Sequence, residues 1–293
     1  MMCCANCGIS AIDDIELKDC DACDLVKYCS DECQKDHKDN HGEECKKRKA
    51  ELRDRDLFTM PDGSHLGECP ICCLPLSIDP SKSTFMNCCS KSICNGCSYA
   101  NSKREVEAGL EERCVFCREP YPNSYEEVEK RCKKRIKKND LATINLMAKK
   151  HFREGDYETA LEYLTKAAEM GYADAHFGLS NFYYEGEVVE KDTEKAIYHL
   201  EEAAIAGHPR ARRNLGVYEK INGRFERARK HFIIAANLGW HDSLQELREL
   251  YANGHASKED YASALRAYQA ATEEAKSAER EIAEAFYKAT GEL

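Results

Sequence analysis

The sequence predicts small zinc-stabilised fingers at the amino terminus followed by an all-α helical-repeat solenoid, and three observations carry that expectation. Of 18 cysteines in 293 residues, 17 lie within residues 3–117, one is Cys132, and none follows. Nearly all of the first 17 fall in pairs at metal-ligand spacing. Beyond residue 140 an alanine-rich block closed by glycine recurs, as Ala167-Ala168-Glu169-Met170-Gly171, Ala203-Ala204-Ile205-Ala206-Gly207 and Ala235-Ala236-Asn237-Leu238-Gly239.

Composition narrows the function classes. A formal net charge of −10 argues against a dedicated nucleic-acid binder, because phosphate contacts need a basic face. The first residues lack the basic stretch and apolar run of a secretory signal. No apolar run exceeds about five residues, far below the ~20 that cross a bilayer. The expected location is therefore cytoplasmic, nuclear or both, with no membrane contact. In a reducing compartment a cysteine-dense segment reads as metal-binding rather than as a disulfide framework.

The first block contains Cys4-x2-Cys7, Cys20-x2-Cys23, then Cys29-x3-Cys33 and His41-x3-Cys45. Two intervening residues let a tight turn aim both sulfurs at one tetrahedral ion, about 2.3 Å from each. Three intervening residues suit one face of a helical turn, where i and i+4 are neighbours. Eight ligands make two zinc sites. The stretch from Tyr28 to Gln34, Tyr-Cys-Ser-x2-Cys-Gln, resembles the MYND-type zinc finger. That resemblance implies interleaved sites, with Cys4, Cys7, Cys29 and Cys33 on one zinc and Cys20, Cys23, His41 and Cys45 on the other. Lys38 stands where such fingers usually carry Trp. Cys3 and His37 are alternative ligands for Cys4 and His41. Family members bind short peptide motifs on partner proteins, and a fully ligated zinc leaves no position for catalytic water.

A charged stretch over residues 46–56 reads as a helix tail, leading through Pro61-Asp62-Gly63-Ser64 to a second block. It contains Cys69-x2-Cys72, Cys88-Cys89, Cys94-x2-Cys97 and Cys114-x2-Cys117. This set resembles an all-cysteine RING finger, in which the first and third pairs share one zinc and the second and fourth share another. The carry-over places Cys69, Cys72, Cys94 and Cys97 together, and Cys88, Cys89, Cys114 and Cys117 together, for about four zinc ions per chain. Lys91 occupies the position where most RING fingers have a histidine ligand. Cys73 reads as a small core residue. RING fingers commonly act as ubiquitin ligases by holding a charged conjugating enzyme in reactive geometry, which is catalysis by orientation. The resemblance puts the conjugating-enzyme contact at Ile71, Val115, Phe116 and Arg118, the last with five donors to bridge two proteins. Val115 replaces a usual proline, and the helix after Cys97 has no tryptophan.

The run 129–138 holds seven positive charges against one negative, while Val128, Cys132 and Ile136 recur every four residues; it reads as a linker helix with a solvated basic face. The repeats follow. A second marker, Ala160, Ala196, Ala228 and Ala264, keeps the same steps of 36, 32 and 36 residues, so each unit is a helix, a glycine turn and a helix. Gly155, Gly186 and Gly223 mark the turn inside a unit; Gly171, Gly207 and Gly239 end its second helix. Residues 173–208, with Tyr183-Tyr184-Glu185-Gly186 and Ala203-Ala204-x2-Gly207, resemble a Sel-one-like repeat. Units at 142–172 and 209–240 resemble it with shorter, tetratricopeptide-like loops, and a degenerate fourth follows. Tyr183, Tyr184, Tyr218 and Tyr251 are expected in the core, and the tail is expected to cap the array. Stacked pairs make a curved solenoid suited to binding protein.

The expected organisation is a MYND-type finger at 1–48, a linker at 49–66, a RING-type finger at 67–120, a basic linker helix at 121–139, repeats at 140–272 and a capping helix at 273–293. Both finger resemblances imply small treble-clef-like folds. The expected function is a modular ubiquitin ligase whose partners are a conjugating enzyme and a substrate protein. A non-enzymatic zinc adaptor is the alternative.

Overall fold

A computed structural model describes residues 3–7, 16–20 and 23–291, and the chain divides into two compact units, Met1–Thr59 and Met60–Leu293. Among the described residues no helix is long and apolar enough to cross a membrane.

The first unit is a cysteine-rich finger. A two-residue hairpin, β1 (Lys18–Asp19) and β2 (Lys27–Tyr28), pairs antiparallel with Lys18 opposite Tyr28. It leads into α1 (Asp31–Asp36), capped where the Ser30 hydroxyl accepts the Cys33 N–H at 3.2 Å. Then α2 (Lys38–Phe58) runs unbroken for 21 residues. The stretch read as a helix tail is helical as far as Phe58, within the expected 49–66 linker. Lys, Arg, Glu and Leu dominate this stretch and are good helix formers. Ion pairs three residues apart, Glu43 with Lys46 and Arg48 with Glu51, support its exposed face.

The second unit opens with the other cysteine block. Strands β3 (Ser83–Met86) and β4 (Lys91–Cys94) form a hairpin in which Ser83 faces Cys94 and Met86 faces Lys91. Helix α3 (Asn95–Glu107) follows, and the basic α4 (Tyr125–Ile136) buries Cys132.

The array is four antiparallel helix pairs: α5 (Leu141–Arg153) with α6 (Tyr157–Glu169), α7 (Ala173–Glu185) with α8 (Thr193–Ile205), α9 (Pro209–Ile221) with α10 (Phe225–Asn237), and α11 (Asp242–Ala252) with α12 (Lys258–Glu274). Aspartates at 140, 156 and 192 cap α5, α6 and α8 by accepting the N–H three residues on. The marker alanines Ala160, Ala196, Ala228 and Ala264 are all buried, because a methyl group there lets helices cross closely. At Gly216 even a methyl would not fit: a Cβ would lie 2.5 Å from the buried Phe232 ring.

Three expectations change. The last helix, α13 (Ala278–Thr290), packs on α3 of the second cysteine block instead of capping the array. Tyr184 and Tyr251 are exposed, whereas Tyr183 packs on the core of the first two pairs. Cys73 is exposed too, since a left-handed backbone turns it out of the core.

The second cysteine block is no free-standing module. It lies along the turns that join successive units of the array. Ser90 shares a 2.8 Å hydrogen bond with Thr143 of α5, Arg135 donates to the Cys88 carbonyl, and the His65 N–H donates to the Gly207 carbonyl at 3.1 Å. The Gly207 turn has φ +83°, and a Cβ there would meet the Gly63 carbonyl oxygen at 2.7 Å. That glycine serves both the helix stop and the close approach of the cysteine block.

Candidate metal centres

Three of the Cys-x2-Cys pairs adopt one local geometry. The first cysteine's N–H bonds a carbonyl across the turn: Cys20 to Val26, Cys69 to Leu74, Cys114 to Glu119, each at 2.9 Å. The residue after the second cysteine, Asp24, Cys73 or Arg118, takes a left-handed φ of 54–58° and donates back to the first cysteine's carbonyl. Non-glycine residues adopt that conformation at some cost. Here it leaves both sulfurs and nearby amide protons converging on one point.

The cysteines collect into four sets, in each of which the donor atoms lie within 4.8 Å of one another. In the first unit these are Cys4, Cys7, Cys29 and Cys33, and Cys20, Cys23, His41 and Cys45. The His41 Nε2 lies 3.0 Å from Cys23 Sγ. His37 stands outside the set: its Nδ1 bonds the Tyr28 hydroxyl at 3.1 Å and its ring stacks on His41. In the second unit the sets are Cys69, Cys72, Cys94 and Cys97, and Cys88, Cys89, Cys114 and Cys117. Adjacent Cys88 and Cys89 reach one point because they sit in the β3–β4 turn, which closes with the Ser90 N–H on the Met86 carbonyl at 2.7 Å and φ +55° at Ser90. Lys91 is exposed and lies over the Phe116 ring at 5.0 Å.

Sulfur-rich tetrads of this kind suit Zn2+, which takes four thiolate or imidazole ligands in closed sites. The ligand thiols differ sharply from one another. Backbone N–H groups, first that of Cys7, hold Cys4 down at about 6. Burial raises Cys69, but the N–H groups of Cys72, Cys94 and Ile71 outweigh it and leave about 7. Burial and neighbouring sulfurs push Cys89 up to about 11 and Cys45 to about 12, with Cys88 and Cys97 raised as well. Crowded thiols resist shedding all their protons together; a divalent cation replaces those protons and supplies the missing charge.

Around the last pair, Arg118 extends its Nη2 to 3.2 Å from Glu105 Oε1, with its own side chain 51% exposed. Glu105 is fully buried on α3, and its Oε2 accepts the Arg113 N–H and the Asn101 amide, each at 3.0 Å. The Arg113 N–H, with Arg118 close by, holds this carboxyl below the usual range against burial. Ile71, at the tip of the first turn, is 42% exposed; Val115 and Phe116 are half-buried on the finger core.

One cluster has no sequence signal. His65, Asp174 and His208 bring their polar atoms together from the segment before Cys69 and from the starts of α7 and α9. His65 Nε2 lies 2.7 Å from Asp174 Oδ1 and His208 Nε2 3.6 Å from it. This is a docking joint, not a metal site. His208 Nδ1 accepts the Ala211 N–H, so its Nε2 carries the proton. Asp174 Oδ2 is already taken by Asn145 and the Lys149 ammonium, which repels a second cation.

Fold and donor sets together define a cysteine-rich zinc-finger region followed by an all-helical repeat array. The MYND finger family model matches residues 4–45, and the Sel1 repeat model matches residues 150–172, 173–208 and 209–240. No family model match covers the second cysteine block, and no curated protein matches the chain. Among solved structures, a Sel1 repeat protein from Oxalobacter formigenes is 24% identical over 60% of this chain and 71% of its own, with a TM-score of 0.45. The protective antigen c5321 of uropathogenic Escherichia coli, which displays an SLR fold, is 27% identical over 50% of this chain and 33% of its own, with a TM-score of 0.43.

Proposed function

We propose that this protein is a zinc-dependent interaction scaffold whose second cysteine block works as a RING-type ubiquitin ligase module. The MYND finger and the array would then select the substrate. The interleaving of the second block carries the reading: its first and third cysteine pairs converge on one point and its second and fourth on another. Ile71 and Arg118 stand exposed on the first and last turns of that block, where a conjugating enzyme would meet them. The residues that would hold zinc are the sixteen of the four sets, and the ion would supply structure only.

A second reading, a non-enzymatic adaptor, draws support from the same block. Val115 and Phe116 are half-buried on the finger core, and the Arg118 guanidinium lies against Glu105. Purified protein incubated with ubiquitin, activating enzyme and a panel of conjugating enzymes separates the two. The ligase reading expects chains with at least one enzyme and their loss in Ile71→Ala and Arg118→Ala. Absence of chains throughout, or chains indifferent to both substitutions, leaves the adaptor.

A further inference from the structure

Arg280, in the first turn of α13, reaches back 208 residues to the second cysteine block. Its Nη2 donates to Cys72 Sγ at 3.4 Å and to the Leu74 carbonyl at 3.2 Å; its Nη1 donates to the Pro75 carbonyl at 2.7 Å and the Ala275 carbonyl at 2.6 Å. Four bonds fix this guanidinium between the Cys69–Cys72 turn and the α12–α13 junction. Cys72 lies 3.8 Å from Cys94, so Arg280 adjoins the set of Cys69, Cys72, Cys94 and Cys97.

A zinc ion in four thiolates carries net charge −2 in a largely buried place. A fixed guanidinium on one sulfur offsets part of that charge and orients the ligand turn, as outer-shell groups of metal sites do. The rest of α13 is seated on the same finger. At Gly96, between Cys94 and Cys97, an added Cβ would lie 2.8 Å from the Arg280 backbone nitrogen. Lys82 pairs with Glu284 at 3.0 Å, and the Tyr99 ring packs on Phe286 at 4.8 Å.

We propose that Arg280 is an outer-shell residue of this zinc site and that α13 is a zinc-dependent latch. Occupancy of the site by Zn2+ holds the helix on α3, and the docked helix holds the metal. Loss of the ion leaves Arg280 without its anionic partner and frees the helix, uncovering the face of α3 around Tyr99. The inference rests on zinc binding by these four thiols and is independent of ligase activity.

The test is residue-resolved alkylation of the zinc-loaded full chain, with N-ethylmaleimide under mild chelation and mass-spectrometric readout. In Arg280→Ala, labelling of Cys69, Cys72, Cys94 and Cys97 is expected to accelerate at least about tenfold. Cys88, Cys89, Cys114, Cys117 and the first-unit cysteines should keep wild-type rates. Glu284→Ala weakens the docking without touching Arg280 and should accelerate the same four by a smaller factor. Conversely, Cys94→Ser should raise amide exchange across residues 278–290 relative to α11. Wild-type labelling in Arg280→Ala, equal acceleration of all fifteen cysteines of the four sets in both substitutions, or unchanged exchange of α13 in Cys94→Ser overturns the proposal.

Discussion

At the scale of single residues, one glycine and one carboxylate carry the most testable consequences. Gly216 faces the Phe232 ring with no room for a methyl, so Gly216→Ala should cost about 1–3 kcal/mol, the usual range for overpacking. Trp240, the chain's only tryptophan, lies in the array and reports that loss as a lower urea midpoint in fluorescence. Glu105 is fully buried and touches Arg118. If the module is a ligase, Glu105→Gln and Arg118→Ala should each slow ubiquitin discharge, and the double substitution should be no slower than the worse single one. Additive losses in that cycle would show that Glu105 acts through folding alone.

Buried and half-buried histidines also act at this scale. Burial lowers His199 to about 4, assisted by His176; it lowers His208 to about 3, with His65 and Lys149 assisting; and His231 falls to about 2. Each folded-state value lies below the unfolded value of about 6.5. The unfolded chain therefore binds more protons below that pH, and stability falls as pH drops from about 6.5 towards 4. The Trp240-detected melting temperature should be lower at pH 5 than at pH 7, and His199→Gln should shrink that difference. An unchanged difference would mean that His199 does not contribute to it.

Elements differ in what holds them. The hairpin, α1 and the set ligated around them have a core made almost wholly of cysteines and Tyr28. The array's core is alanine, leucine and phenylalanine packed between helices. Chelation at neutral pH should accordingly abolish amide protection at residues 23–37 while α7 to α10 stay protected. Equal loss in both would mean that the array also depends on metal. The motif spacings made both kinds of element legible in advance. The continuation of α2 towards Phe58 was legible as a helix tail, because its charged residues favour helix although the run is nearly non-amphipathic.

At the scale of the whole molecule, the second unit has more continuity than its motif string implies. The second cysteine block is built into the array along the row of inter-unit turns and is gripped at its far side by α13. Four closed tetrads predict about four zinc ions per chain by elemental analysis; two would mean that one block binds none. Substituting Gly207 by Val should loosen the block and the array together, since one position serves the helix stop and the Gly63 contact.

Sequence by itself determined the division into a cysteine-rich region and a repeat array, the ligand spacings and the turn glycines, because each is a local rule of chain geometry repeated at fixed intervals. Only the tertiary structure decided which distant groups meet. Arg280 on Cys72, His65 on Asp174 and Arg118 on Glu105 follow no period, since they depend on how elements pack after they form. The outward turn of Tyr184 and Tyr251 has the same origin: helical spacing places a residue on a face, and only the neighbouring helices decide whether that face is covered.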